Sequence, residues 1–175
     1  MAFKKVNRND PDNVFFAPGA DAITSEAIHA TIVTKCFWDE SLRTFTYMES
    51  RTLEQLLHII NEWGESDAAL DEQRVVEEAA DVCIVIFDLL GAHGIHVAFT
   101  DCWPWEMLHE LTIPRLLAHV AGVYRKQRVL EAATLAKMIS YLRYKHGSVT
   151  LCNAIIAKMA KNAQRESLYG MHKGE

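Results

Sequence analysis

"EEAADVCIVIFDLLGAHG", residues 77–94, sets Glu78, Asp81 and Asp88, with Glu77 beside them, against one of the most apolar runs in the chain. A helix turns about 100° per residue, so Glu78, Asp81 and Asp88 fall within a sector of roughly 80°. An unpaired buried charge is expensive. Either that sector faces water, or something positive sits against it.

The helix expected just before this stretch carries more acid. "RTLEQLLHIINEWGES", residues 51–66, places Leu53, Leu56, Leu57 and Ile60 on one face, the pattern of an amphipathic helix. Glu62 and Glu65 are spaced i, i+3 and are surface neighbours on it. His58 and Asn61 lie in the same sector, within roughly 100° of arc. Twelve residues separate Glu65 from Glu78, enough for a turn that folds the two helices antiparallel. The hairpin then brings an ExxE face and an ExxD face together. Four bare carboxylates at close range repel, and at least one would take up a proton. Hard divalent cations relieve that repulsion, because Mg²⁺ takes oxygen ligands and retains waters that phosphates can replace. The bland alternative is a set of solvated i, i+3 acid pairs, common in a chain with 23 acidic residues.

The remainder of the chain predicts an all-α helical bundle. The first 23 residues, with Pro11, Pro18 and Gly19, read as an irregular arm, and residues 24–175 as one all-α domain. "TSEAIHATIVTKCFW" opens with Ser or Thr as N-cap, and residues 75–93 form a helix stopped by Gly94. Three more helices are expected from "IPRLLAHVAGVYRKQ", "VLEAATLAKMISYLRYKH" and "TLCNAIIAKMAKNAQRESLY", and no period-two alternation proposes a sheet. Residues 76–94 and 129–147 align without a gap at an offset of 53, matching Glu78 with Glu131 and His93-Gly94 with His146-Gly147. Asp81 falls opposite Thr134 and Glu65 opposite Ala118, so residues 105–148 read as a degenerate second copy of the 50–95 hairpin. Chance likeness between two Ala-rich helices is the competing explanation.

The last helix, residues 149–169, carries a cationic stripe. Lys158, Asn162, Arg165 and Tyr169 are spaced 4, 3 and 4 apart, with His172 and Lys173 beyond Gly170. An ammonium, an amide and a guanidinium in one row suit a polyphosphate. Cations near a helix C-terminus also arise simply from the helix dipole.

Composition narrows the class. Half of the residues are apolar and 23% are charged, as in ordinary soluble globular proteins. The formal charge of −5 argues against a nucleic-acid coat, and no run of 18 apolar residues proposes a membrane span. Cys36, Cys83, Cys102 and Cys152 lack CxxC spacing and read as reduced, mostly buried thiols of a cytoplasmic protein. The N-terminus has no apolar core of the kind a signal peptide needs.

Taken together, the Glu62–Glu65 pair of "NEWGES" and the Glu78–Asp81 pair of "EEAAD", with twelve residues between Glu65 and Glu78, resemble the ExxE–x(12–28)–ExxD signature of the all-α nucleoside triphosphate pyrophosphohydrolases. That superfamily includes MazG-like proteins, many of them phage-encoded, and the dimeric dUTPases. "KMAKNAQRESLYGMHK" is similar to the Lys…Asn…Arg…His tail of the MazG-like members, although "GMHKGE" departs from their usual ending. The resemblance implies an Mg²⁺-dependent hydrolase, with Mn²⁺ as a substitute, that converts a (d)NTP of the nucleotide pool to a (d)NMP and pyrophosphate. It implies that Glu62, Glu65, Glu78 and Asp81 hold more than one ion, with Glu62 or Glu65 orienting the attacking water. It implies that Lys158, Arg165 and Lys173 neutralise phosphate, and that His58, Asn61, Asn162 and Tyr169 contact the substrate. Such proteins are homo-oligomers, dimers or tetramers. A modified nucleotide or a phosphoribosyl-nucleotide is an alternative substrate within this reading. A non-enzymatic interaction or regulatory protein is the alternative outside it.

Overall fold

The computed structural model describes residues 19–33, 38–39, 43–102, 104, 118, 122 and 132–164. Within them the fold is all-α, as the spacing predicts, with no strand among the described residues. The helices are α1 (Ser25–Val33), α2 (Phe45–Ala68), α3 (Glu72–Ala92), α4 (Ala132–His146) and α5 (Ser148–Ala163). Single 3₁₀ turns form at Ala20–Ala22 and Phe99–Asp101. Most of the expected second hairpin lies outside the described residues, as do the segment expected as a helix from residue 113 and the arm up to residue 18.

Helix α3 is the axis of the bundle and packs against all four other helices. Residues 82–90 are buried without interruption, which is what an apolar run on every side of a helix requires. Each fully buried Ile, Leu or Phe there contributes about 1.5–3 kcal/mol relative to exposure. The helix stops at His93, and Gly94 follows with φ 66°, a left-handed conformation that glycine reaches at little cost. The aligned His146-Gly147 ends α4 in the same manner, with φ 81° at Gly147.

Helix α2 begins six residues before the stretch that announced it. Thr44 caps it, its side chain accepting a hydrogen bond from the Tyr47 amide at 3.3 Å. Its buried face is Thr52, Gln55, Leu56, Ile59, Trp63 and Ser66. That corrects the stripe read from sequence. Leu57 is 57% exposed, because the face meeting α3 is rotated towards Ile59 and Trp63 and includes polar side chains that an apolar count passes over. A three-residue turn returns the chain antiparallel, and Ser66 Oγ ties the hairpin by donating to Val75 O at 3.1 Å.

The crossing of α1 over α3 is set by Gly91. A Cβ there would lie 2.4 Å from Ser25 O and 2.5 Å from His29 Cβ, so the two helices touch nearly backbone to backbone. Ser25 also anchors α1 to the segment after α3, donating from Oγ to Ile95 O at 2.8 Å and from its amide to Val97 O at 3.0 Å. On the other side, the Arg143 guanidinium of α4 is buried. It donates to Phe99 O at 2.5 Å, Cys102 O at 2.6 Å and Ser148 Oγ at 3.2 Å, and lies over the Phe99 ring. One arginine thus holds the turn at Phe99–Asp101 and the α4–α5 junction together. Cys83, Cys102 and Cys152 are buried free thiols, and burial pushes that of Cys102 up to about 12.

Candidate metal centre

The antiparallel register of α2 and α3 places Glu62 opposite Glu78 and Asp81. One carboxylate oxygen from each lies within 4.8 Å of the other two, and all three side chains are half-buried. Backbone geometry explains the meeting: Glu78 and Asp81 are i, i+3 on one face of α3, and Glu62 projects from the facing side of α2. The fourth acid stands apart. Glu65 is exposed, is not one of this cluster, and accepts a hydrogen bond from Asn61 Nδ2 at 2.7 Å.

Each member of the cluster has a further partner. Glu62 Oε1 is 2.7 Å from His58 Nε2, one turn earlier on α2. Glu78 Oε1 accepts from Arg74 Nε at 3.3 Å across one turn of α3. Asp81 Oδ2 accepts from Lys158 Nζ, reaching over from α5. Burial raises the Asp81 carboxyl above its ordinary value and the charges of Glu62 and Glu78 raise it further, against the opposing pull of Lys158. The positive group that the opening stretch calls for is therefore an ammonium from the end of the chain.

The donor set is three hard oxygen ligands from two rigid helices. Octahedral Mg²⁺ holds its ligands at about 2.0–2.1 Å, so oxygens a few ångströms apart on half-exposed side chains fit such an ion. Neither cysteine nor histidine belongs to the cluster, which disfavours a soft or borderline metal.

Of the other residues singled out in the sequence, Asn162 is buried on α5 one turn beyond Lys158. Arg165, Tyr169 and Lys173 lie outside the described residues. Trp63 is core, 8% exposed, with its ring stacked on Tyr141 at 5.9 Å between centroids.

The partners of Asp88 went unread in the sequence. Asp88 is fully buried two turns beyond Asp81, and its carboxylate gathers three side chains. His29 Nδ1 lies 2.7 Å from Oδ1, while Trp38 Nε1 and Gln55 Nε2 donate to Oδ2 at 2.8 and 2.5 Å. Gln55 precedes Glu62 by seven residues as Asp88 follows Asp81 by seven, so acid cluster and buried network occupy one continuous face of the hairpin. That i, i+7 echo on both helices was the available signal. His29 and Trp38 left none, because nothing local ties them to Asp88.

No family model matches the chain, and neither a curated protein nor a solved structure matches it.

Proposed function

We propose that the protein is a Mg²⁺-dependent nucleotide pyrophosphohydrolase that hydrolyses a nucleoside triphosphate to the monophosphate and pyrophosphate. The observation that carries this reading is the convergence of Glu62, Glu78 and Asp81 from two helices, with the Lys158 ammonium against them. The likeness of the ExxE and ExxD motifs and of the Lys…Asn tail to the all-α pyrophosphohydrolases supports the same chemistry.

In this reading Glu62, Glu78 and Asp81 hold the divalent cation. The cation, when bound, supplies charge neutralisation and Lewis-acid polarisation for a polyphosphate. The side chains of the protein do the rest. His58 fixes the Glu62 carboxylate through the 2.7 Å contact to Oε1, so that this group is already oriented. Glu65, left outside the cluster and steadied by Asn61, accepts the proton of the attacking water. The water oxygen bonds to the α-phosphorus, the α–β bridging bond breaks, and its electron pair leaves with pyrophosphate. Lys158, an ammonium beside the carboxylates, meets the phosphate chain as a point charge.

Pyrophosphate release from a panel of (d)NTPs with Mg²⁺ tests the proposal. Turnover of at least one nucleotide that falls more than about 100-fold in Glu62→Gln and Asp81→Asn is the expected result. A folded wild-type protein that releases pyrophosphate from none of them overturns it.

A further inference from the structure

A cavity of about 910 Å³ opens between the first turns of α3 and the α4–α5 corner. Its α4–α5 wall sets hydrogen-bond donors around Ala154 and Ala157. Lys161 supplies an ammonium, Lys145 another that lies 3.6 Å from Asp67 Oδ1 of α2, and Lys158 a third that is bonded to Asp81, with a hydroxyl from Thr150 and an amide from Asn153. His146 joins them with a ring nitrogen, Nε2, that is buried without a partner among the described residues. Burial and the neighbouring Lys145 push this imidazole down to about 4, so it is neutral at pH 7, and the Nε2–H tautomer would make this nitrogen a donor. The two acids of the lining, Glu72 and Glu77, stand on the α3 side, and Glu77 is occupied by Gln73 Nε2 at 3.0 Å. A small oxyanion suits these donors in charge and in its appetite for N–H and O–H groups.

Lys158 belongs to both places. Its side chain lines the cavity, while its ammonium is bonded to Asp81 in the acidic cluster. A divalent cation at the cluster and the Lys158 ammonium compete for the same carboxylate. A cation therefore frees Lys158 for the cavity, and an anion in the cavity draws Lys158 off Asp81.

We infer that the cavity is a binding site for a phosphate-class oxyanion, coupled through Lys158 to cation binding at Glu62, Glu78 and Asp81. The anion site rests on the cavity alone; the coupling rests on the metal reading given above. Thermodynamic linkage makes the effect reciprocal, each ion tightening the other by the same factor.

Amide NMR titration with sulfate, with and without Mg²⁺, tests both halves. Without Mg²⁺, sulfate shifts the amides of Lys145, His146 and Lys161, and Lys161→Ala and Lys145→Ala each weaken it by about fivefold. With Mg²⁺, sulfate binds about three- to tenfold more tightly in the wild type and no more tightly in Lys158→Met. Both lysines are exposed, so these variants keep the fold. Cavity amides that stay still, or that respond equally in the lysine variants, overturn the anion site. Unchanged sulfate affinity on adding Mg²⁺ overturns the coupling. Mg²⁺ that leaves the amides of Glu62, Glu78 and Asp81 unmoved instead overturns the metal reading while the first arm still judges the cavity. A nucleotide with a methylene-bridged triphosphate separates the two sources of the anion. It moves the cavity amides if the site takes the substrate's own chain, and leaves them if it takes free phosphate.

Discussion

Asp81 and Asp88 stand seven residues apart on α3, about 10.5 Å along its axis and on one face, yet their carboxylates have opposite surroundings. Asp81 is half-exposed among other acids and bonded to Lys158. Asp88 is sealed in the core and bonded to His29, Trp38 and Gln55. One helix face thus carries an acid open to solvent and an acid sealed from it.

The acidic cluster predicts stabilisation by divalent cations. Mg²⁺ or Mn²⁺ at 100 times its dissociation constant raises unfolding free energy by about 2.7 kcal/mol, and a chelator reverses the gain. Thermal melts should show the effect lost in Glu62→Gln and Glu78→Gln. Glu65→Gln, altering an exposed side chain outside the cluster, should keep most of it.

Asp88 predicts a pH signature. Burial raises its native carboxyl above the ordinary value, although His29 and Trp38 oppose this. The folded protein then binds more protons than the unfolded chain once pH exceeds about 3.9, the unfolded value. The sign of the linkage makes stability fall as pH rises from there through the raised native value. Asp88→Asn lacks this dependence. The stability advantage of wild type over Asp88→Asn should therefore shrink across that window. Urea melts at a series of pH values measure the difference. A gap that widens with pH contradicts the buried, raised carboxyl.

Gly91→Ala should destabilise strongly. Its Cβ would meet Ser25 O at 2.4 Å, a backbone atom that cannot rotate away, so α1 must lift from α3. A loss of about 2–4 kcal/mol is expected from overpacking and the broken Asp88–His29 contact. Gly64 has open space around its Cβ direction, and Gly64→Ala should be neutral or slightly stabilising in the same denaturation assay.

Arg143 should not tolerate lysine. A single ammonium cannot stand both where Nη1 meets Phe99 O and Cys102 O and where Nε meets Ser148 Oγ, so at least one of these contacts is lost. Arg143→Lys should cost about 1–3 kcal/mol and Arg143→Met more, read from denaturation midpoints.

By itself the sequence determined the helical class, the α2–α3 hairpin and the identity of its acids. Each of these is local: periodicity makes the helices, Gly94 ends α3, and i, i+3 spacing puts Glu78 beside Asp81. The rotation of α2 was not legible, because Gln55 and Thr52 are polar residues that turn inward only to meet α3, leaving Leu57 outside. Only the tertiary structure decided that Glu65 stands off from the other three carboxylates, since one turn of helix can face either the partner helix or water. Only it paired Lys158 with Asp81, 77 residues away, and closed His29, Trp38 and Gln55 around Asp88. Those contacts depend on how whole helices pack, and no spacing along a single helix encodes the packing of another.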